Sequence, residues 1–188
     1  MEILMKFLVI SDIHGSEGCL KTALASFPDF DMLVLCGDYL NHGPRNPLPE
    51  GWNPKGVAEI LNPLSGKIAC VRGNCDAEVD EMVLSFPCLS PYANIFAGGG
   101  RIFVHHGHLY ERERLLSWLP EKTVIVSGHT HVALLEEDGG RIFFNPGSIS
   151  LPKCPEGKTC GTIESDCSGI RRVALHSIEG RLLREIRL

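Results

Sequence analysis

A chain of 188 residues is long enough for one domain with a full core and short for two. A hydrophobic share of 44% beside 22% charged residues excludes a disordered chain, and a formal net charge of −5 argues against a broad nucleic-acid-binding surface. No apolar run approaches the roughly 18 residues of a membrane-spanning helix. Met1 to Lys6 carries no basic stretch followed by a separate apolar segment and cleavage site, so no signal peptide is expected and the cytoplasm is the expected compartment. The eight cysteines, none in a Cys-x-x-Cys pair, are then expected to be free thiols.

In chain order, residues 3–10 form an apolar run broken only by Lys6, which predicts a strand buried on both faces, as in a parallel sheet. Its end releases Ser11-Asp12-Ile13-His14-Gly15, and strand alternation would point Asp12 and His14 the same way. Leu20, Ala23, Leu24 and Phe27 stand at helical spacing over 17–27, and Pro28 stops that helix. A second strand over 32–36 ends in Gly37-Asp38 and completes a β-α-β unit. The long proline-containing loop 38–54 holds Asn41, His42, Arg45 and Trp52, with His42 and Arg45 as candidates to contact a substrate phosphate. Pro54 opens a short helix carrying Val57, Ile60 and Leu61. A third strand over 67–71 ends in Arg72-Gly73-Asn74-Cys75-Asp76, and a helical turn or two is expected over 76–84.

Beyond residue 94 the pattern changes. Residues 95–97 and 101–105 flank three glycines and predict an antiparallel hairpin that ends in His105-His106-Gly107-His108. A helix is expected over 111–119, then a strand over 123–126 ending in Ser127-Gly128-His129-Thr130-His131. Asp138-Gly139-Gly140 between 133–137 and 141–145 is a strong hairpin signal. Strands over 160–165, 170–177 and 181–188 close the chain, and Ile163, Ile170, Leu175 and Leu182 are candidates for a self-association surface. Alternating strands and helices early, with hairpins late, predict two stacked sheets with helices outside.

Five apolar runs thus end in Asp, His or Asn, mostly beside a glycine that admits close backbone approach. Chance does not repeat a device so often. Asp, His and Asn supply oxygen and nitrogen donors suited to Mn²⁺, Fe or Zn²⁺, and an octahedral preference favours the first two. Such a set is too large for one ion but suits two sharing a bridge, a clamp for in-line displacement at phosphorus. Asp38, alone on its strand end, is the candidate bridge, because a carboxylate spans two ions with its two oxygens.

Asp12-x-His14, Gly37-Asp38, Gly73-Asn74, His106-Gly107-His108 and Gly128-His129-x-His131 resemble, in order and approximate spacing, the calcineurin-like metallophosphoesterases. Asn41-His42-Gly43-Pro44-Arg45-Asn46, Arg72-Gly73-Asn74-Cys75-Asp76 and Asn145-Pro146-Gly147-Ser148 look like those of the small bacterial YfcE-type phosphodiesterases within that family. The resemblance implies a four-layer α/β/β/α sandwich with two mixed sheets, formed by 1–188 as one calcineurin-like domain. It implies two divalent ions, Mn²⁺ before Fe or Zn²⁺. One would be held by Asp12, His14, Asp38 and His131, the other by Asp38, Asn74, His106 and His129, with a bridging hydroxide as nucleophile. It also selects His106 over His105 as the ligand before the glycine, leaving His105 structural. The partner implied is a small phosphodiester, with neither nucleic acid nor membrane, and the likeness admits a homo-oligomer.

Asn74, Cys75, Asp76 and His108 are the expected catalytic residues, Asp76 and His108 in supporting roles. Many relatives carry a histidine after the Gly-Asn, thought to protonate the leaving group, where this chain has Cys75. A neutral thiol is a poor substitute for an imidazolium whose proton transfer contributes on the order of 10²–10⁴-fold. The expectation is therefore phosphodiester hydrolysis biased towards good leaving groups. The alternatives are a non-catalytic scaffold on the same fold, or a phosphomonoesterase. Complete ligand positions count against the first and Cys75 against the second. His176, on a late strand, is expected to be structural.

Overall fold

The computed structural model describes residues 4–188; Met1 to Ile3, part of the N-terminal reading and of the first apolar run, lie outside the described residues. The central strand β1 (Met5–Ile10) is apolar on both sides because each side meets a different core. Leu8 and Ile10 join a cluster with Leu20, Ala23, Val57 and Leu61 on the helical side. Phe7 and Val9 join a second cluster with Val104, Val126 and Phe144 between the two sheets. Each such Leu, Ile, Val or Phe side chain contributes about 1.5–3 kcal/mol by leaving water. The helices on the first sheet are α1 (Glu17–Ser26) and α2 (Pro54–Leu61), the latter opened by Asn53, whose side chain accepts from the Gly56 amide.

β1 pairs in parallel with β2 (Met32–Leu35), which pairs in parallel with β3 (Ile68–Cys70). On its other edge β1 meets β9 (Thr159–Asp166) antiparallel, so both faces are buried in a mixed sheet, as the resemblance implied. With β10 (Gly169–Ser177) and β11 (Leu182–Arg187) the order is β11-β10-β9-β1-β2-β3. The second sheet contains β4 (Tyr92–Ala97), β5 (Gly100–His105), β6 (Thr123–Val126), β7 (Leu134–Asp138) and β8 (Arg141–Asn145), ordered β4-β5-β6-β8-β7. Its outer face packs Phe103, Ile125 and Phe143 against Leu115 and Leu119 of the α3 region (Arg112–Trp118). The layers are therefore α/β/β/α. Residues 76–84 yield only a short 3₁₀ turn, Glu78–Met82.

Three of the four candidates for a self-association surface are corrected. Ile163, Ile170 and Leu175 point into the inter-sheet core, and only Leu182 is exposed. The alternation that makes those strands look sticky is spent on the second sheet. All eight cysteines are free thiols. No helix among the described residues is long and apolar enough to cross a membrane. Because β1, β2 and β3 run parallel, as do β5, β6 and β8, the loops leaving their C-terminal ends gather at one end of the sandwich.

Candidate metal centre

Asp12 and His14 lie beyond the last residue of β1, so strand alternation is not what makes them converge. Both adopt left-handed backbone, with φ of 53° and 49°. Five of the six described non-glycine residues with positive φ are Asp12, His14, Asp38, His129 and His131. An L-residue placed there is strained by roughly 1–2 kcal/mol and persists only where its surroundings over-determine it. Those surroundings are visible. The amides of Asp12, His14 and Gly15 donate to the carbonyls of Gly37, Asp38 and Tyr39 at 3.2, 2.9 and 2.9 Å, zipping the two ligand loops together. Asp76 completes the fastening, accepting from the amides of Gly73, Asp38 and Tyr39 at 2.6, 2.8 and 2.9 Å.

Glycines clear the remaining space. A Cβ on Gly73 would lie 2.0 Å from Asp38 Oδ1, and one on Gly128 would lie 1.9 Å from Ser11 Oγ and 2.8 Å from Asp12 Oδ2. Ser148 and Ser150 hydroxyls donate to the Asp12 carbonyl at 2.8 and 3.0 Å, tying the loop after β8 to the same point.

Three imidazoles are oriented alike. Nδ1–H of His14 donates to the Asn41 carbonyl at 2.8 Å, that of His106 to Cys36 at 2.6 Å, and that of His131 to Leu151 at 2.6 Å. A carbonyl only accepts, so each Nδ1 carries the proton and each Nε2 of the neutral ring presents a lone pair inward. There His14 Nε2 faces His131 Nε2 at 3.1 Å, and His106 Nε2 faces Asn74 Oδ1 at 3.0 Å and Asp38 Oδ2 at 3.5 Å. Asp12 Oδ1 stands 3.2 Å from His131 Nε2 and is buried without a hydrogen-bond donor. With the rings neutral, as metal ligation requires, these inward Nε2 lone pairs converge with carboxylate and amide oxygens on one space. Such a constellation fits divalent cations, which would satisfy every inward lone pair at once. Ligand atoms of Asp12, His14 and His131, and of Asp12, Asp38 and His106, lie within 4.8 Å of one another. His129 differs: its Nδ1, not its Nε2, approaches Asn74 Oδ1, at 2.6 Å.

The electrostatics call for positive charge. Burial works against the ionised form of Asp12, yet His131 and His14 hold its carboxyl below the usual carboxylate range. Burial works against the cationic form of His106, but Asp38 and Asp12 raise its pKa to about 9. Burial, then Asp38, pushes the Cys75 thiol up to about 12, so it is protonated at neutral pH.

The other expected residues divide. A cavity of about 510 Å³ opens over Asp38, Asn74, Cys75, His129 and His131 and is also lined by Arg45. His42 instead packs edge-on against Trp52, with ring centroids 6.0 Å apart. His108 packs edge-on against His106, with ring centroids 5.2 Å apart, a buried, unpartnered Nδ1 and a pKa lowered by burial and then by His106. His105 turns away into Phe103 and Tyr110, at 5.9 and 5.7 Å. Burial and then His106 and His108 bring its pKa down to about 4. His176 packs on Phe27 at 4.9 Å, away from the cluster.

Residues 5–167 match the model of the calcineurin-like phosphoesterase superfamily domain. The chain belongs to that superfamily. It is 44% identical over 165 residues to phosphodiesterase YfcE of Escherichia coli K12, covering 87% of this chain and 89% of the relative. It is 32% identical over 179 residues to the probable metallophosphoesterase YsnB of Bacillus subtilis, covering 89% of each. The solved structure of the E. coli YfcE phosphoesterase superposes with a TM-score of 0.86 at 37% identity, over 97% of this chain and 99% of that one. The enzyme is accordingly a metallophosphoesterase, and its family implies divalent metal ions.

The carbonyls of Cys36, Asn41 and Leu151, which fix the imidazole tautomers, escape sequence reasoning because every residue carries a carbonyl. Ser148 was within reach, standing in the Asn145-Pro146-Gly147-Ser148 motif, whereas Ser150 and Lys153 carry no sequence signal.

Proposed function

We propose that this protein is a metal-dependent phosphodiesterase whose two-ion centre is held by Asp12, His14, Asp38, Asn74, His106, His129 and His131, with Asp38 shared. The observation that carries this reading is the inward convergence of acceptors, with His14, His106 and His131 each locked by a backbone carbonyl so that Nε2 faces the carboxylates. When bound, two divalent cations, Mn²⁺ in the first instance, would supply Lewis acidity at the phosphoryl oxygens and a hydroxide nucleophile at neutral pH. The protein's own residues do the rest. Asp76 holds the Gly73 and Asp38 loops at fixed separation, and the left-handed backbone aims the carboxylates before substrate arrives. Arg45 lines the cavity and offers a fork of N–H donors to a phosphoryl oxygen. Cys75 keeps its proton and gives the leaving group little help, which favours activated diesters over monoesters. We further propose one domain over 1–188 and a cytoplasmic setting, supported by composition and by the relatives' matching length.

The test removes metal with chelator and restores Mn²⁺, Mg²⁺, Zn²⁺ or Fe²⁺ singly. Hydrolysis of bis-p-nitrophenyl phosphate and p-nitrophenyl phosphate is then followed, with Asp38→Asn as control. Metal-restored cleavage that favours the diester and is lost in Asp38→Asn is the expected result. Faster monoester cleavage would overturn the preference, and no turnover despite two bound ions per chain would favour a scaffold.

A further inference from the structure

Lys153 lines the same cavity as Asp38, Asn74, His129 and His131, yet lies in the loop between β8 and β9, far along the chain from every residue named above as a substrate contact. Its backbone is not free to wander. The Lys153 amide donates to the His131 carbonyl at 2.9 Å, while His131 Nδ1 donates to Leu151 two residues earlier. Upstream, Ser148 Oγ accepts from the amides of Ser150 and Leu151 at 3.2 and 2.9 Å while donating to the Asp12 carbonyl. The base of Lys153 is thereby fastened to the candidate centre itself, and its exposed side chain lines the cavity.

Among the described residues neither Lys153 nor Arg45 forms an ion pair, although the chain carries 23 Asp and Glu against 18 Lys and Arg. Glu156, three residues along the chain, pairs with Arg184. An unpaired cation tethered beside a phosphoryl site in a net-negative protein is suited to an anion that arrives with the substrate. The scissile diester has one negative charge, which the metal centre and Arg45 would meet.

We propose that Lys153 is a specificity-determining residue that reads a second anionic group, a phosphate or carboxylate, on one ester arm of the substrate. This rests on the phosphodiesterase reading and narrows it to diesters with a charged substituent, such as those derived from nucleoside bisphosphates. The contribution is charge attraction at a partly exposed site, so it acts on binding and weakens with salt.

The test uses a matched pair, the p-nitrophenyl ester of thymidine 5′-phosphate with and without a 3′-phosphate, and the metal-loaded full chain. The wild type should favour the 3′-phosphorylated ester through a lower KM, by about fivefold at low salt. Lys153→Ala should erase that ratio with kcat for each ester little changed, Lys153→Arg should keep it, and Lys153→Glu should invert it. Calorimetric titration with thymidine 3′,5′-bisphosphate and with the 5′-monophosphate should show the same discrimination without turnover. A wild type that cleaves both esters with equal KM, or an Ala variant that shifts both alike, would overturn the assignment. Absence of hydrolysis with charge-selective, Lys153-dependent binding intact would overturn the phosphodiesterase reading and leave the anion site standing.

Discussion

The candidate centre has a closed half and an open half. Asp12, His14, Asp38, His106 and His131 are each no more than 3% exposed, whereas Asn74 is exposed, and His129 and Cys75 are partly so. In the closed half three imidazoles are pinned by carbonyls and the backbone is strained. In the open half Asn74 Oδ1 meets His106 and His129 while its Nδ2 donates to Cys75 Sγ at 3.2 Å, a network that solvent and substrate can reach. A site built this way separates holding from reacting. The closed half is organised by burial, and the open half is the part that solvent reaches.

That contrast can be broken most forcefully from the closed side. Asp12→Asn should lose bound metal through gel filtration, read by elemental analysis, and diester turnover should fall by at least ~10³-fold. Asn74→Ala, in the open half, should fall on the order of 10²-fold while retaining most of its metal; equal metal loss in both variants would erase the distinction. Cys75→His probes the open half in the other direction. By restoring a proton donor it should raise monoester turnover roughly 10-fold or more relative to the diester, and an unchanged ratio would show that the thiol is not what limits monoesters.

Asp76 tests whether the fastening between the loops matters for stability. In Asp76→Asn an amide nitrogen would meet backbone donors that now share a carboxylate, and urea unfolding should report a loss of about 2 kcal/mol. Burial and the neighbouring Asp38 raise the Asp76 pKa to about 7, against the pull of its three backbone amides. The smallest expected effect lies outside the site altogether. Burial, then Arg172, lowers the pKa of His176 below its ordinary 6.5. Its folded form is therefore neutral where the unfolded form takes up a proton, so the stability it contributes is present above pH 6.5 and is lost as pH falls below that value. Between pH 7 and pH 5, His176→Gln should lose less unfolding free energy than the wild type, and equal losses would refute the assignment.

Much of this was legible in the residues. The apolar runs give the strands over 5–10, 32–35 and 123–126, and Asp138-Gly139-Gly140 gives the hairpin between β7 and β8, because periodicity and turn chemistry are local properties. Asp12, His14, Asp38, Asn74, His106, His129 and His131 were selected as a set, and the fold gathers them at one end of the sandwich. Less legible was how they meet. Asp12 and His14 were expected to share a strand face and instead leave the strand in left-handed backbone. The edge-on packing of His42 on Trp52 was equally hidden, since a loop's side-chain directions depend on its tertiary contacts. Ile163, Ile170 and Leu175 looked like an association surface, because an inward apolar row and an outward one are the same string of letters.

From the residues alone come the candidate donors, the strand ends that present them and the family to which the chain belongs. Those follow from residue identity and short-range pattern. Which ring nitrogen of each histidine faces inward, which half of the centre is closed and which cations line the cavity depend on the folded chain. Tautomer, burial and the pairing of Glu50 or Glu156 with their cations are set by groups up to 108 residues apart in the chain, where no local rule acts.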